Sequence, residues 1–452
     1  MRCRLFEDAF IDVVQLFRVA FPALPGNVSH DNEEKQMNVY ICAVLMLFSA
    51  AVYPSGRYRD IFIGNKAAGL GGAFIGVADD NNAVWHNPAG MAWMQGVCVG
   101  TSPSFELHAN ARGGSFLNED EAESSVLFVP ASLSSVSDAG PGKLGLGVFM
   151  PVKEAFTQNT SAGPVTAGSD TWSGFLDRTE NEEIFYLGAA YAGRINDYFS
   201  IGGALYYVSA HYSHDLYQLI YDPSGVELDY YETELKESEK LRGFTAEAGA
   251  MFRPSEHVSL GLVLRTRTRL QGDGLYREVH TEVNPFGVVV QPRTVVFNTD
   301  VDQRIIPASL GLGVSWQIND EWMIAADLVR YFSAEYERYD HEEIHLEPVT
   351  NVSIGAEWRI TEHVPFRFGV YTNNSYFPEI DGRDEPQKPH VDVQGIVAGA
   401  GYESDQNTFF GCLKIGSGEG KEKVRDQITG VYTSVDAVSY TFGFILGMNY
   451  SF

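Results

Sequence analysis

Arg265, Arg267 and Arg269 recur at every second position of a stretch with strand periodicity, which puts all three on one face of a strand. Guanidinium groups held in this way can grip a carboxylate through paired, charge-assisted hydrogen bonds. Lys143, Arg359, Arg367 and Lys414 fall in the same inward phase of other strands and would widen such a basic lining. The competing reading is a structural ion-pair network with Glu247, Asp327 and Glu357, or with Asp79 and Asp80. Phe149 supplies an apolar side chain for the tail of an amphipathic ligand, or an ordinary packing contact.

Covalent chemistry finds little support. No spacing pairs a serine nucleophile with a histidine base. His211, His214, His341 and His345 lie near carboxylates without the convergence a metal needs. Cysteines at 3, 42, 98 and 412 form no Cys-x-x-Cys motif, and Cys98 and Cys412 either pair or act as small apolar residues. The glycine cluster at 69–72 is no phosphate loop, because Phe74 stands where glycine is needed and no Lys-Ser/Thr follows. No enzyme, metal or cofactor is expected.

The elements that must position these residues are strands. The chain has 452 residues, 44% hydrophobic and 13% aromatic, with 45 glycines and a formal charge of −27. That charge excludes a nucleic-acid binder, which needs a Lys/Arg surface. After residue 55 no apolar run approaches the ~20 residues of a membrane helix. Period-two alternation dominates instead, most clearly at the C-terminus, where Tyr440, Phe442, Phe444, Leu446, Met448, Tyr450 and Phe452 alternate with small or polar residues.

The alternation predicts fourteen strands near 95–111, 122–137, 142–157, 181–195, 198–216, 240–253, 256–272, 303–318, 321–336, 347–360, 364–376, 391–403, 406–417 and 437–452. Short polar turns such as Arg194-Ile195-Asn196-Asp197 join alternate pairs. Longer acidic loops at 112–121, 158–180, 217–239, 273–302, 337–346, 377–390 and 418–436 join the rest. An even strand number with turns at one end and loops at the other is the pattern of an all-β, antiparallel transmembrane β-barrel in a bacterial outer membrane. Val258, Leu260, Leu262 and Leu264 are expected to face lipid, with Ser259, Gly261, Val263 and Arg265 facing the lumen.

Ahead of the strands, residues 37–53 have the apolar run and small-residue end of a signal peptide. Residues 1–36 form an upstream extension, and Met37 is a candidate start. Residues 54–94 break the strand pattern and predict a compact N-terminal hatch before a barrel over 95–452. In this hatch, Ala67-Ala68-Gly69-Leu70-Gly71-Gly72-Ala73-Phe74, Ala78-Asp79-Asp80 and Asn87-Pro88-Ala89-Gly90 carry a resemblance to the long-chain fatty-acid transporter (FadL) family of outer-membrane proteins.

The resemblance implies a plugged fourteen-stranded barrel that takes up hydrophobic molecules, foremost long-chain fatty acids, and releases them sideways near the third strand. That strand contains Pro151, which removes a ladder donor. The resemblance also implies that Asn87, Pro88 and Ala89 meet the kinked third strand and, with Gly71, Gly72 and Pro151, shape the exit route. The expected partners are a hydrophobic small molecule and outer-membrane lipid, without nucleic acid, and the barrel is expected to be a monomer. Related barrels that shuttle secreted proteins, and general pores, are the alternatives, because a shared hatch speaks to architecture before ligand.

Overall fold

The computed structural model describes residues 56–116, 119–167, 170–223, 230–283, 289–337, 343–385, 387–404, 406–425 and 431–452. The expected upstream extension over 1–36, the expected signal peptide over 37–53 and the first two residues of the expected hatch lie outside these residues. Fourteen antiparallel strands follow one another: β1 (Cys98–Thr101 and Ser104–Phe116), β2 (Glu119–Val129 and Ser132–Ala139), β3 (Gly142–Ala167), β4 (Asp170–Arg194), β5 (Phe199–Tyr221), β6 (Tyr230–Ser255) and β7 (Val258–Arg265 and Thr268–Val283). The second half comprises β8 (Val289–Ile306 and Ser309–Gln317), β9 (Trp322–Tyr331), β10 (Val349–Thr361), β11 (Val364–Asn373), β12 (His390–Glu403), β13 (Asn407–Arg425) and β14 (Tyr432–Ser451).

Each strand pairs with the next, and β14 pairs back with β1, Cys98 opposite Ser451 and Phe105 opposite Phe444. Closure is what lipid demands, since an open edge would leave backbone amides unpaired in hydrocarbon. The predicted faces hold. Leu260, Leu262 and Leu264 are exposed outward, as are Leu312, Val314 and Trp316, while Ser259, Gly261 and Val263 are buried. Trp322 and Trp358 stack outside, 5.6 Å apart, near the short-turn end, where aromatic girdles belong.

Most of the predicted long loops are strand. Residues 158–167, 170–180, 217–221, 230–239, 273–283, 289–302 and 418–425 continue the ladders beyond the apolar belt. The reason is solvent: once a strand leaves lipid both faces may be polar, so alternation vanishes while pairing continues. The predicted ninth strand stops at Tyr331 instead of 336, and a separate hairpin of Ala334–Glu337 with Glu343–Leu346 precedes β10.

Interruptions mark the wall. β1 breaks at Pro103, β2 at Pro130 and β8 at Pro307, consistent with proline's missing N–H. β3 bulges between Phe149 and Val152, around Pro151. β7 breaks at Thr266–Arg267, and its pairing register with β6 slips by one residue there: Glu247 faces Arg265, but Arg242 faces Gln271.

Residues 56–94 fill the inside of this wall. Two short helices, α1 (Asn65–Gly69) and α2 (Ala83–His86), and a 3₁₀ turn, Pro88–Trp93, are almost wholly buried against inward-facing strand residues. Gly71 and Gly72 follow α1 with φ of 65° and 89°, the left-handed region that favours glycine. A Cβ on Gly71 would press on the backbone of Val370 in β11. These two glycines therefore turn the chain while holding it against the wall.

Candidate functional site

A cavity of about 110 Å³ lies between the N-terminal segment and the wall. The segment contributes Arg57, Tyr58, Arg59, Trp85 and His86. The wall contributes Pro151 and Val152 of β3, Tyr186, Arg265 and Tyr331, and Tyr376 beyond β11 closes another side. Tyr58 stacks on Tyr331 at 4.2 Å and meets Tyr376 at 4.4 Å.

The three arginines singled out by spacing do not converge. Arg265 faces inward, its Nε donating to Glu247 Oε2 at 2.8 Å and its Nη2 to the Trp85 carbonyl at 3.0 Å, with the guanidinium 4.1 Å above the Trp85 ring. The register slip at Thr266–Arg267 then reverses the alternation. Leu270 is buried in the core, whereas Arg267 and Arg269 are exposed. Arg267 donates to the Glu335 carbonyl at 3.3 Å. The expectation of three lumen-facing guanidiniums is corrected to one.

The other inward cations are engaged by carboxylates. Lys414 meets Glu106 at 2.9 Å, Lys143 meets Asp138 at 2.6 Å, and Arg359 and Arg367 both bridge Glu357 and Glu403. Asp327 accepts the backbone N–H groups of Phe74 at 2.7 Å and Ile75 at 2.8 Å, anchoring the segment to β9.

Arg59, which spacing did not single out, is different. Its Nη2 donates to Ser353 Oγ at 3.2 Å, it makes no ion pair among the described residues, and its buried Nε finds no acceptor there. The Tyr58 hydroxyl beside it is likewise buried without a partner, and burial pushes its pKa up, so it remains a donor. No period reveals either residue, because both sit in irregular chain whose direction is set only by packing.

Phe149 is fully buried, 5.1 Å from Trp85 and 6.3 Å from Tyr206. Asn87, Pro88 and Ala89 are seated elsewhere than at the third strand. Asn87 Nδ2 donates to the carbonyls of Ile75 at 3.0 Å and Ala250 at 3.2 Å, and its Oδ1 accepts the Ala89 N–H at 3.2 Å. Gly202, Gly249 and Gly261, on β5, β6 and β7, leave the space these residues occupy. Close backbone approach needs strands without side chains, and the glycines that permit it lie on these three strands. It is Met91 and Val84 that press on Gly145 of β3.

The wall splits beside the cavity. Ser132–Ala139 of β2 pairs with Gly142–Phe149 of β3, and the Met150 N–H donates to the Ala131 carbonyl at 2.9 Å. Beyond that bond, among the described residues, Glu119–Val129 pairs only with β1, and Val152–Ala167 only with β4. The Pro151 carbonyl accepts the N–H of Ile61 from the segment at 3.0 Å. Phe128 and Val126 continue the outward apolar series of β2 past the split, so the parting begins within the lipid belt. Pro151 and Val152 border both split and cavity.

Two titratable groups of the segment oppose each other. Burial, reinforced by the neighbouring Asp79 charge, pushes the Asp80 carboxyl up to about 6, and burial lowers His86 to about 4. Asp80 thus contributes stability that is present below its unfolded value of 3.8 and lost as pH rises towards 6. His86 contributes stability that is present above 6.5 and lost as pH falls towards 4. Asp80→Asn is therefore expected to raise the melting temperature near neutral pH and to leave it little changed near pH 4. An equal shift at both pH values would contradict this.

Cys98 and Cys412 are both buried free thiols. His211 meets the Glu239 carbonyl at 3.0 Å, His214 stands 3.7 Å from Glu180 and 3.9 Å from Glu237, and His345 stands 3.3 Å from Glu335 and 3.9 Å from Glu343. His341 lies outside the described residues. Among those residues no group of three His, Cys, Asp or Glu converges as metal ligands.

A closed fourteen-stranded barrel with a filled lumen and a parting in its lipid belt defines an outer-membrane transport protein. Residues 64–452 match the family model described as outer membrane protein transport protein (OMPP1/FadL/TodX), and the chain belongs to that family, one of transport proteins and not of enzymes. Its fold is similar to that of a Pseudomonas aeruginosa FadL homologue, with TM-score 0.59 and 15% identity over 89% of this chain and 100% of that one. The Ralstonia pickettii toluene transporter TbuX aligns with TM-score 0.56 and 15% identity over 86% and 98% of the two chains. The Pseudomonas putida toluene transporter TodX gives 0.56 and 15% over 88% and 100%. No curated protein sequence matches the chain.

Proposed function

We propose that this barrel passively takes up hydrophobic molecules, most simply long-chain fatty acids, by binding them in the lumen and releasing them sideways between β2 and β3. The observation that carries this reading is the split at Pro151, which adjoins both the lumen cavity and the lipid belt. Residues 56–94 act as the hatch, and their bond from Ile61 to Pro151 links hatch position to the exit. The filled lumen speaks against a general pore.

For the head group we favour Arg59 over Arg265. Arg265 would have to give up Glu247, whereas Arg59 and Tyr58 offer donors that are free among the described residues. The cavity volume favours a second reading, because about 110 Å³ suits a single aromatic ring better than a whole acyl chain. The structural relatives described as toluene transporters are in keeping with it.

Binding of a fluorescent long-chain fatty acid to the refolded barrel, with toluene as competitor, tests both. Saturable binding weakened about tenfold or more by Arg59→Gln is expected, the loss of one charge-assisted hydrogen bond in a buried site. Tight toluene binding unaffected by the same substitution, with no fatty-acid binding, would replace the first reading with the second. No binding of either, by a barrel that keeps its fold, would overturn both and leave the shuttle or the pore.

A further inference from the structure

Outside the barrel, the lipid-facing surface of β6 and β7 ends in a cluster of cations. On β6 the outward positions run from Phe252 through Ala250, Ala248, Ala246 and Phe244, and then become Arg242 and Lys240. On β7 Leu260, Leu262 and Leu264 give way, past the register slip, to Arg269. Phe252 to Arg242 is roughly 33 Å along the strand, or roughly 25 Å along the barrel axis at a tilt of about 40°, the height of an outward apolar band. The cations therefore stand at its outer edge, level with lipid head groups.

Lys240, Arg242 and Arg269 are all exposed, and none makes an ion pair among the described residues. Arg242 lies opposite Gln271, so Arg269 is its diagonal neighbour across the β6–β7 ladder, at a separation of about 7–8 Å. Asp273, in register with Lys240, is exposed and makes no ion pair with it. The corresponding outward stretch of β12–β14 is mixed and mostly acidic, with Ser417 and Tyr440 followed by Glu419 and Asp392, and with Lys421 opposite Asp436. In a chain of formal charge −27, this one-sided cluster of outward cations is not a general property of the surface.

We propose that Lys240, Arg242 and Arg269 form a docking site for a phosphorylated glycolipid of the outer leaflet, with the phosphate held between Arg242 and Arg269 and the acyl chains against Phe244 and Leu264. A phosphate offers several acceptor oxygens, which two neighbouring guanidinium forks can share. The docked lipid would staple β6 to β7 just beside the break at Thr266–Arg267, where their pairing register slips.

The test is thermal melting of the intact barrel in neutral detergent with added diphosphorylated lipid A, compared with its dephosphorylated form and with inorganic phosphate. Wild type is expected to be stabilised in a saturable way by the phosphorylated lipid alone. Arg242→Gln with Arg269→Gln is expected to weaken that binding about thirtyfold, from ~1 kcal/mol for each cation near the surface. Lys421→Gln, on the outward face of β13, serves as the comparison and is expected to bind as wild type does. Equal stabilisation of wild type and the double variant, or equal stabilisation by the dephosphorylated lipid, would overturn the proposal. Stabilisation by inorganic phosphate at similar concentration would likewise overturn a lipid site. Should the double variant fail to fold, Lys240→Gln is expected to show a smaller loss in the same direction, and an unchanged affinity there would also count against the site.

Discussion

Arg367→Met is expected to be one of the most destabilising single substitutions in the barrel, costing about 3 kcal/mol or more. The Arg367 side chain is fully buried, its Nε 2.6 Å from Glu357 and its Nη2 2.5 Å from Glu403. The Glu357 side chain is itself only 4% exposed. Without Arg367, both carboxylates depend on Arg359, at 3.1 Å and 2.9 Å, and one buried charge is left undercompensated. The damage reaches the N-terminal segment, because Gly69 at the end of α1 packs on the Arg367 stem and on the Phe410 ring, over which the guanidinium lies at 4.7 Å. Arg367→Lys is expected to recover only part of the loss, since an ammonium cannot engage two carboxylates as a planar fork does. The melting temperature of the refolded barrel reads the effect, and a change indistinguishable from wild type would show that Arg359 alone satisfies both acids.

Gly261→Val is expected to unseat residues 56–94 from the wall. A Cβ there would lie 2.1 Å from the Ile75 carbonyl oxygen and 3.0 Å from Asn87 Nδ2. The first neighbour is backbone, held from its other side by the bond of the Ile75 N–H to Asp327, so it has little freedom to yield. Overpacking of this kind costs typically about 1–3 kcal/mol. Here relief is available by moving residues 56–94 off β7, which breaks the Asn87 bond to Ala250 of β6. The expected readout is a rise in ion conductance across a planar bilayer, together with a lower melting temperature. Gly193→Val, at a position with open space around it, is the control expected to change neither. A Gly261→Val barrel that conducts no more than wild type would mean that residues 56–94 are held without this contact.

Much of the architecture was legible in the sequence because lipid imposes period two on one face. Leu260, Leu262 and Leu264, or the aromatic series ending in Phe452, have to alternate for a strand to lie between hydrocarbon and a packed lumen. The glycines, and the Asn-Pro-Ala element at 87–89, were likewise legible as signs of close packing. Where lipid ends the rule ends. The long ladders above the belt read as acidic loops, although β3 with β4 and β6 with β7 pair through most of them.

The site was less legible for a related reason. Spacing by two implies a shared face only while a strand is unbroken, and a single slip at Thr266–Arg267 sends Arg269 outward while Arg265 stays within. Composition set the lumen cations among an excess of carboxylates, but only the fold could tell which were matched. Arg265, Arg359, Arg367 and Lys414 found acids on other strands, and among the described residues Arg59 did not. The sequence by itself thus determined a fourteen-stranded outer-membrane barrel, through a periodicity that each strand carries locally. The seat of residues 56–94, the parting beside Pro151 and the charges left over in the lumen were decided by the tertiary structure, because they depend on contacts between residues far apart in the chain.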